Sequence, residues 1–186
     1  MYKRQNKTLG RIEVICGSMF SGKTEELIRR IKNSNKSYKV FKPVTDTRNK
    51  QNKIESHSNI KIDATTIKNI NEILVFKNKF DIIGIDEAQF FSDDIIDVCN
   101  TIANSGSRVI VAGLDMDYSG KPFGPMPFLM AIAEKVTKVH ATCSETGEPA
   151  LYSFRKTGDK ETIMIGEKNE YKPLSRRAFI SKLKKK

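Results

Sequence analysis

Two short stretches carry residue types that do chemistry together. Gly17-Ser18-Met19-Phe20-Ser21-Gly22-Lys23-Thr24 fits the pattern G-x-x-x-x-G-K-[ST]. In that pattern glycines let successive backbone N–H groups converge on phosphate oxygens, the lysine reaches the β- and γ-phosphates, and the hydroxyl holds Mg²⁺. The second stretch is Asp86-Glu87, which closes the apolar run Ile82-Ile83-Gly84-Ile85. An acid pair at a strand end offers one carboxylate to Mg²⁺, usually through water, and leaves the other free to act as a general base. The bland alternatives are a glycine-rich turn that only joins two elements, and a solvated acid pair. What lies on either side of the glycine loop weighs against the first, and acceptance of that loop weakens the second. The expected ligand is a nucleoside triphosphate with Mg²⁺.

Such residues work only if elements hold them. Ile12-Glu13-Val14-Ile15-Cys16 suits a buried strand, and over 24–33 Leu27, Ile28 and Ile31 share one helical face. Strand, glycine loop and helix form the context the loop requires, and the helix N-terminus adds partial positive charge. Further strands are predicted over 38–41, ended by Pro43, and over 60–62. Residues 45–58 are polar and irregular, a mobile loop carrying Asp46, Arg48 and His57, the last a solvated histidine. Ile67, Ile70, Ile73 and Leu74 recur at helical spacing, and 80–85 is a strong buried-strand signal. Ser92-Asp93-Asp94 opens a helix that Gly106 ends, and 108–113 is the next central strand. A structured loop over 114–127, a short helix over 128–133 with Pro127 near its first position, and a last core strand over 136–140 follow.

Strands alternating with helices predict an α/β fold, a P-loop NTPase-like parallel sheet with helices on both faces. In such sheets ligands gather at the carboxyl ends of the strands, so both acids face the nucleotide. From Cys143 the pattern changes to short polar pieces, including a hairpin through Gly158 and Asp159. The expected division is a nucleotide-binding domain over 1–141 and a small C-terminal lobe over 142–186.

Composition narrows the partners. A chain of 186 residues with 38% hydrophobic and 30% charged residues suits one soluble α/β domain with a small appended lobe. No apolar run reaches membrane-spanning length, and the polar start Met1-Tyr2-Lys3-Arg4-Gln5-Asn6-Lys7 has no signal-peptide core, so no membrane partner is expected. Three scattered cysteines, Cys16, Cys99 and Cys143, do not form a disulfide framework and point to a reducing cytoplasm. A net charge of +11 invites a nucleic-acid partner, as for a basic ATPase working on nucleic acid. The lysines are spread over nearly every segment, however, and recognition needs a patch rather than a total, so no nucleic acid is expected.

The motifs in combination are far more specific than the phosphate loop alone. The loop with Glu25-Glu26-Leu27-Ile28-Arg29-Arg30, then Lys42-Pro43-Val44-Thr45-Asp46-Thr47-Arg48, resembles the cytosolic-type (type II) thymidine kinases. Asp86-Glu87-Ala88-Gln89-Phe90-Phe91 is similar to that family's D-E-[AG]-Q-F-F block. Gly113-Leu114-Asp115 with Lys121-Pro122-Phe123-Gly124 resembles its nucleoside-enclosing lasso, and 135–141 and the Gly166…Tyr171 pair continue the match. The resemblance runs from about Gly10 to Phe179. It implies transfer of the ATP γ-phosphate to the 5′-hydroxyl of thymidine and a homotetramer, and leaves deoxyuridine open as an alternative acceptor.

The resemblance also assigns roles. Glu87 stands where the family has its catalytic base. Gly17, Ser18, Met19, Phe20, Ser21, Gly22, Lys23 and Thr24, with Asp86, Glu87, Ala88 and Gln89, make the ATP site, and Thr24 and Asp86 hold Mg²⁺. Met19, Phe90, Leu114, Tyr118, Phe123, Ser153, Met164, Gly166 and Tyr171 match nucleoside-pocket positions, while Phe91 and Phe128 suit the core. Main-chain groups of the lasso and of 153–164 would read the thymine edge. Arg48 either approaches the transferring phosphate or pairs with Asp46. One feature departs from the family. Its small lobe is clipped by zinc on two Cys-x-x-Cys pairs, and here those stretches read Cys143-Ser144-Glu145-Thr146 and Ser175-Arg176-Arg177-Ala178. Only Cys143 remains, although Gly147, Pro149, Ala150, Leu174 and Phe179 around it match, and no structural zinc is expected.

Overall fold

The glycine loop is strung between strand β1 (Arg11–Cys16) and helix α1 (Lys23–Lys32), the arrangement its chemistry requires. The computed structural model describes residues 9–46, 53–55, 60–156 and 170–184. After α1 come β2 (Tyr38–Pro43), the short strands β3 (Lys53–Glu55), β4 (Lys61–Asp63) and β5 (Thr65–Ile67), and β6 (Ile82–Ile85). Helix α2 (Ile95–Asn104), β7 (Arg108–Gly113), α3 (Met126–Ile132) and β8 (Lys135–Lys138) complete the main layers. Six strands form one sheet in the order β5-β2-β6-β7-β1-β8, and each neighbouring pair is parallel.

Alternation along the strands divides the core between the two faces. Ile12, Val14 and Cys16 of β1, with Phe41, Ile83, Ile85, Val109 and Val111, pack under α2, α3 and a 3₁₀ segment over Ile70–Phe76. Ile15, Val40, Ile82, Ile110 and Ala112 face Leu27, Ile28 and Ile31 of α1, and Ile54 and Ile62 close that side. A parallel sheet covered on both faces is what the sequence pattern predicts.

Some local expectations need correction. Ile67 ends the edge strand β5 rather than opening a helix, and Asn69 caps the 3₁₀ segment that follows. The Asn69 side chain accepts from the Asn71 N–H, and Glu72 Oε1 accepts from the Asn69 N–H at 2.8 Å. Within 45–58, Lys53–Glu55 is an antiparallel partner of β4, because Ile54 and Ile62 have α1 to cover. Helix α3 begins two residues early, with Pro125 as its cap, and the last core strand stops at Lys138. Arg48, His57, Gly158 and Asp159 lie outside the described residues.

Beyond β8, the pairs β9 (Ala141–Thr142) with β10 (Pro149–Ala150), and β11 (Tyr152–Arg155) with β12 (Tyr171–Leu174), are antiparallel, and helix α4 (Arg176–Leu183) follows. Tyr152 stacks on Phe179 with ring centroids 4.3 Å apart. The cluster around them includes Leu174 and Ala178 and draws in Phe20 from the glycine loop and Met116 from loop 114–125.

One charge is buried among the strands. Glu13 on β1 is 1% exposed and accepts from Arg11, Arg30 and Arg108 at 2.7–2.9 Å. Burial pushes its carboxyl up, but the Arg108 and Arg11 guanidiniums outweigh this and hold it at about 2. A carboxyl lowered on folding stabilises the fold fully above its unfolded value, and that stability is lost as pH falls toward about 2. Glu13→Gln should cost roughly 3–5 kcal/mol at neutral pH, because it removes the buried anion that Arg30 and Arg108 share and leaves Arg30 with Glu26 alone. Urea unfolding in acid should then show a shallower pH dependence in the variant than in the parent; parallel profiles would contradict the assignment.

Candidate active site

The loop's curvature depends on glycine where no other residue fits. Gly17 has φ +148, and a Cβ there would run into the Val139 carbonyl oxygen. Lys23 Nζ and Ser21 Oγ both donate to the Ser18 carbonyl, at 2.7 and 2.8 Å, so the lysine head is held inside the loop. Beneath it, burial and then the Asp115 carboxylate push the Cys16 thiol up to about 11, which keeps it neutral. The loop also touches the C-terminal strands: Met19 N–H donates to Ser153 Oγ at 2.9 Å, and Ser18 Oγ donates to the Ala150 carbonyl at 3.3 Å.

The acid pair meets this loop. Asp86 is buried at the end of β6, and its Oδ2 accepts from Thr24 Oγ1 at 3.0 Å. Two hard oxygen ligands thus share one point beside the lysine, a donor set suited to Mg²⁺ that takes its other ligands from phosphate and water. Glu87 has φ 53, in the left-handed region, where a non-glycine residue is strained by about 1–3 kcal/mol. Gln89 Nε2 donates to Glu87 Oε2 at 2.5 Å. Gln89 Oε1 in turn accepts from the Leu114 N–H at 2.9 Å, so one amide orients Glu87 and anchors the start of loop 114–125. Gly124, at φ +50, lets that loop return, since a Cβ there would stand 2.5 Å from the Gln89 carbonyl oxygen.

Loop 114–125 is closed at its base. Phe123 N–H donates to the Asp115 carbonyl, Met116 bridges Pro122, and Asp117 Oδ1 accepts from the Ser119 and Lys121 N–H groups. Phe123 meets Phe90 edge-on at 5.8 Å. Tyr118 lies under the Arg155 guanidinium, which donates to the Tyr171 hydroxyl. The expected residues therefore fall into connected groups: Leu114, Phe90 and Phe123 around Gln89, Met19 with Ser153, and Tyr118 with Tyr171 through Arg155. Met164 and Gly166 lie outside the described residues.

Four charged residues near the site were given no role by the sequence reading. Arg155 is one, in a polar segment with no motif around it. Lys42 is 1% exposed at the end of β2, with its Nζ 3.9 Å from Asp46. Buried Asp115 pairs with Lys138 at 2.6 Å, across the end of β1. Lys42 stands one position and Asp115 two positions beyond the strands predicted over 38–41 and 108–113, which is the available signal for them.

Comparison with known proteins adds identity to this geometry. Residues 10–179 match the family model described as thymidine kinase. A thymidine kinase of Bacteroides thetaiotaomicron is 50% identical over 180 residues, covering 95% of this chain and 90% of the relative. One from Porphyromonas gingivalis is 49% identical over 173 residues, covering 91% and 85%, and one from Bdellovibrio bacteriovorus is 44% identical over 176, covering 92% and 86%.

Gln89→Leu keeps the side chain's bulk but removes both of its hydrogen bonds. Turnover should fall roughly 10- to 100-fold through misplacement of Glu87, with the circular-dichroism spectrum retained. Turnover equal to the parent's would show that the amide does not orient the carboxylate.

Proposed function

Since the chain belongs to the thymidine kinase family, and its activity is that of a kinase using ATP and thymidine, we propose a specific division of labour among its residues. The observation that supports it is the Thr24–Asp86 contact, which joins the phosphate loop to the acid pair at 3.0 Å. Loop amides from Gly17 to Thr24 and the Lys23 ammonium bind the triphosphate, with Ala88 and Gln89 behind them. Thr24 and Asp86 would hold Mg²⁺, which when bound supplies neutralisation of the charge on the β- and γ-phosphates.

Glu87 accepts the proton of the 5′-hydroxyl as its oxygen bonds to the γ-phosphorus. The bond from that phosphorus to the bridging β–γ oxygen breaks, releasing ADP and leaving thymidine 5′-monophosphate. Positioning and charge stabilisation carry most of the acceleration in such a transfer, and the proton acceptor adds roughly 10²–10⁴-fold. Met19, Phe90, Leu114, Tyr118, Phe123, Ser153 and Tyr171 enclose the nucleoside, with Met164 and Gly166 from the segment between β11 and β12. The kinase unit ends near residue 141, the lobe beyond it covers the nucleoside, and the working form is a cytoplasmic homotetramer. Among the described residues no helix is long and apolar enough to cross a membrane.

The zinc of the family's lobe does not fit the residues present. Thr146 Oγ1 and Ser175 Oγ lie 3.3 Å apart, and Ser175 caps α4 by accepting from the Ala178 N–H. Hydroxyls are poor zinc ligands at neutral pH, and Ala178 offers none. Burial pushes the Cys143 thiol up, but the Thr146 hydroxyl and the N–H groups of Ser175, Glu145 and Thr146 bring it to about 6. Hydrogen bonds thus stand where metal bonds would be.

A nucleoside panel with ATP and Mg²⁺ should yield 5′-monophosphate from thymidine, and Lys23→Ala should abolish it without changing the circular-dichroism spectrum. Purine conversion with none of thymidine, or an active Lys23→Ala, would contradict the assignment. Purified protein should contain far less than one equivalent of zinc, and thymidine should protect the lobe from protease. Near-stoichiometric zinc lost with activity on chelation would defeat the metal-free reading, and unchanged proteolysis would remove the dependence on bound nucleoside.

A further inference from the structure

Arg155 is 2% exposed, and its surroundings use every property of a guanidinium. It ends β11 directly opposite Tyr171 of β12. Its Nε and Nη2 donate to the Tyr171 hydroxyl at 3.0 and 2.7 Å. Its Cζ stands 4.0 Å from the centroid of Tyr118, a ring carried by loop 114–125. A planar cation can lie over one ring and still direct in-plane N–H groups at another residue. A lysine supplies the charge without the plane or the fork.

Two consequences follow from chemistry alone. Tyr118 and Tyr171 belong to segments far apart in sequence, and one buried side chain ties them together. The phenolic oxygen also has two lone pairs, and two N–H groups of one guanidinium point at it. Two N–H groups on one oxygen fix the Tyr171 hydroxyl in direction as well as in place.

We propose that Arg155 is a positioning residue for the nucleoside pocket, clamping Tyr118 to Tyr171 so that the two rings keep a fixed spacing around the nucleoside. The proposal rests on the reading of Tyr118 and Tyr171 as pocket walls. Arg155 itself touches neither phosphate nor the reacting oxygen in this assignment, so its effect falls on nucleoside affinity rather than on ATP. The Ser153–Met19 bond, two residues earlier on β11, ties the same strand to the phosphate loop, so a shift of β11 would be felt at both substrates. A substitution that spares β11 and alters only the clamp separates these effects.

The test is steady-state kinetics on the full chain with Arg155→Lys, Tyr118→Ala, Tyr171→Phe and the Arg155→Lys/Tyr171→Phe double variant, with melting temperatures alongside. Arg155→Lys should raise the thymidine KM on the order of 10- to 100-fold while the ATP KM stays within about twofold. The double variant should be no worse than the worse single one, because both remove the same bond. An unchanged thymidine KM in Arg155→Lys, with Tyr118→Ala and Tyr171→Phe both impaired, overturns the clamp and leaves the pocket standing. Unchanged thymidine KM in those two tyrosine variants overturns the pocket reading and the clamp with it. Equal rises in both KM values with a lowered melting temperature would make Arg155 a structural pin only, and would also overturn the proposal.

Discussion

Parallel pairing of β1, β7 and β6 is the constraint on which the site depends. Cys16 stands in register with Gly113, and Ile85 with Val111, so three strands end at one edge of the sheet. The chain leaving β1 becomes the phosphate loop, the chain leaving β6 becomes the acid pair, and the chain leaving β7 between them becomes loop 114–125. Thr24 and Asp86 meet at 3.0 Å because of that order. An antiparallel pairing would send one of these exits to the opposite edge. The helices on both faces supply the burial that makes an all-parallel sheet stable, and the Glu13 cluster fixes α1 against β1, β7 and β8 at the same time.

On the proposed zinc-free reading, the C-terminal strands must be held by packing. A structural zinc contributes on the order of 10 kcal/mol or more, against roughly 1.5–3 kcal/mol for one buried large apolar side chain. The segment 144–178 is not rich enough in apolar residues to make up that difference by itself. Its cluster is completed from outside: Phe179 from α4, Phe20 from the phosphate loop and Met116 from loop 114–125. Gly120 lies against Tyr152 and Phe179. The same contacts that hold these strands therefore hold them to the glycine loop and to loop 114–125.

Much of this was legible beforehand. Strong period-two or period-3.6 runs flanked by glycine or proline gave the central strands and α1, α2 and α3 to within a few residues. The phosphate loop and the acid pair could be placed because their spacing and flanks are diagnostic. Ile67 was misread because helical spacing and the end of a strand are indistinguishable over a few residues. Lys53–Glu55 was missed because a three-residue strand whose single inward residue is Ile54 leaves almost no pattern. The burial of Arg155, Lys42 and Asp115 escaped for a different reason: a charged residue signals exposure until its partners are known. Their burial is a property of the tertiary arrangement. Gln89 was placed by resemblance, yet its two hydrogen bonds, which explain why an amide stands there, belong to the folded site.

The central claim is that Glu87, on its left-handed turn and oriented by Gln89, takes the proton of the attacking hydroxyl. The most direct measurement is single-turnover transfer from γ-labelled ATP to saturating thymidine in Glu87→Gln, with both substrates' binding followed in parallel. Binding of ATP and thymidine should stay close to the parent's, while the transfer rate falls roughly 10²–10⁴-fold. A transfer rate near that of the parent, with both substrates bound, would contradict it.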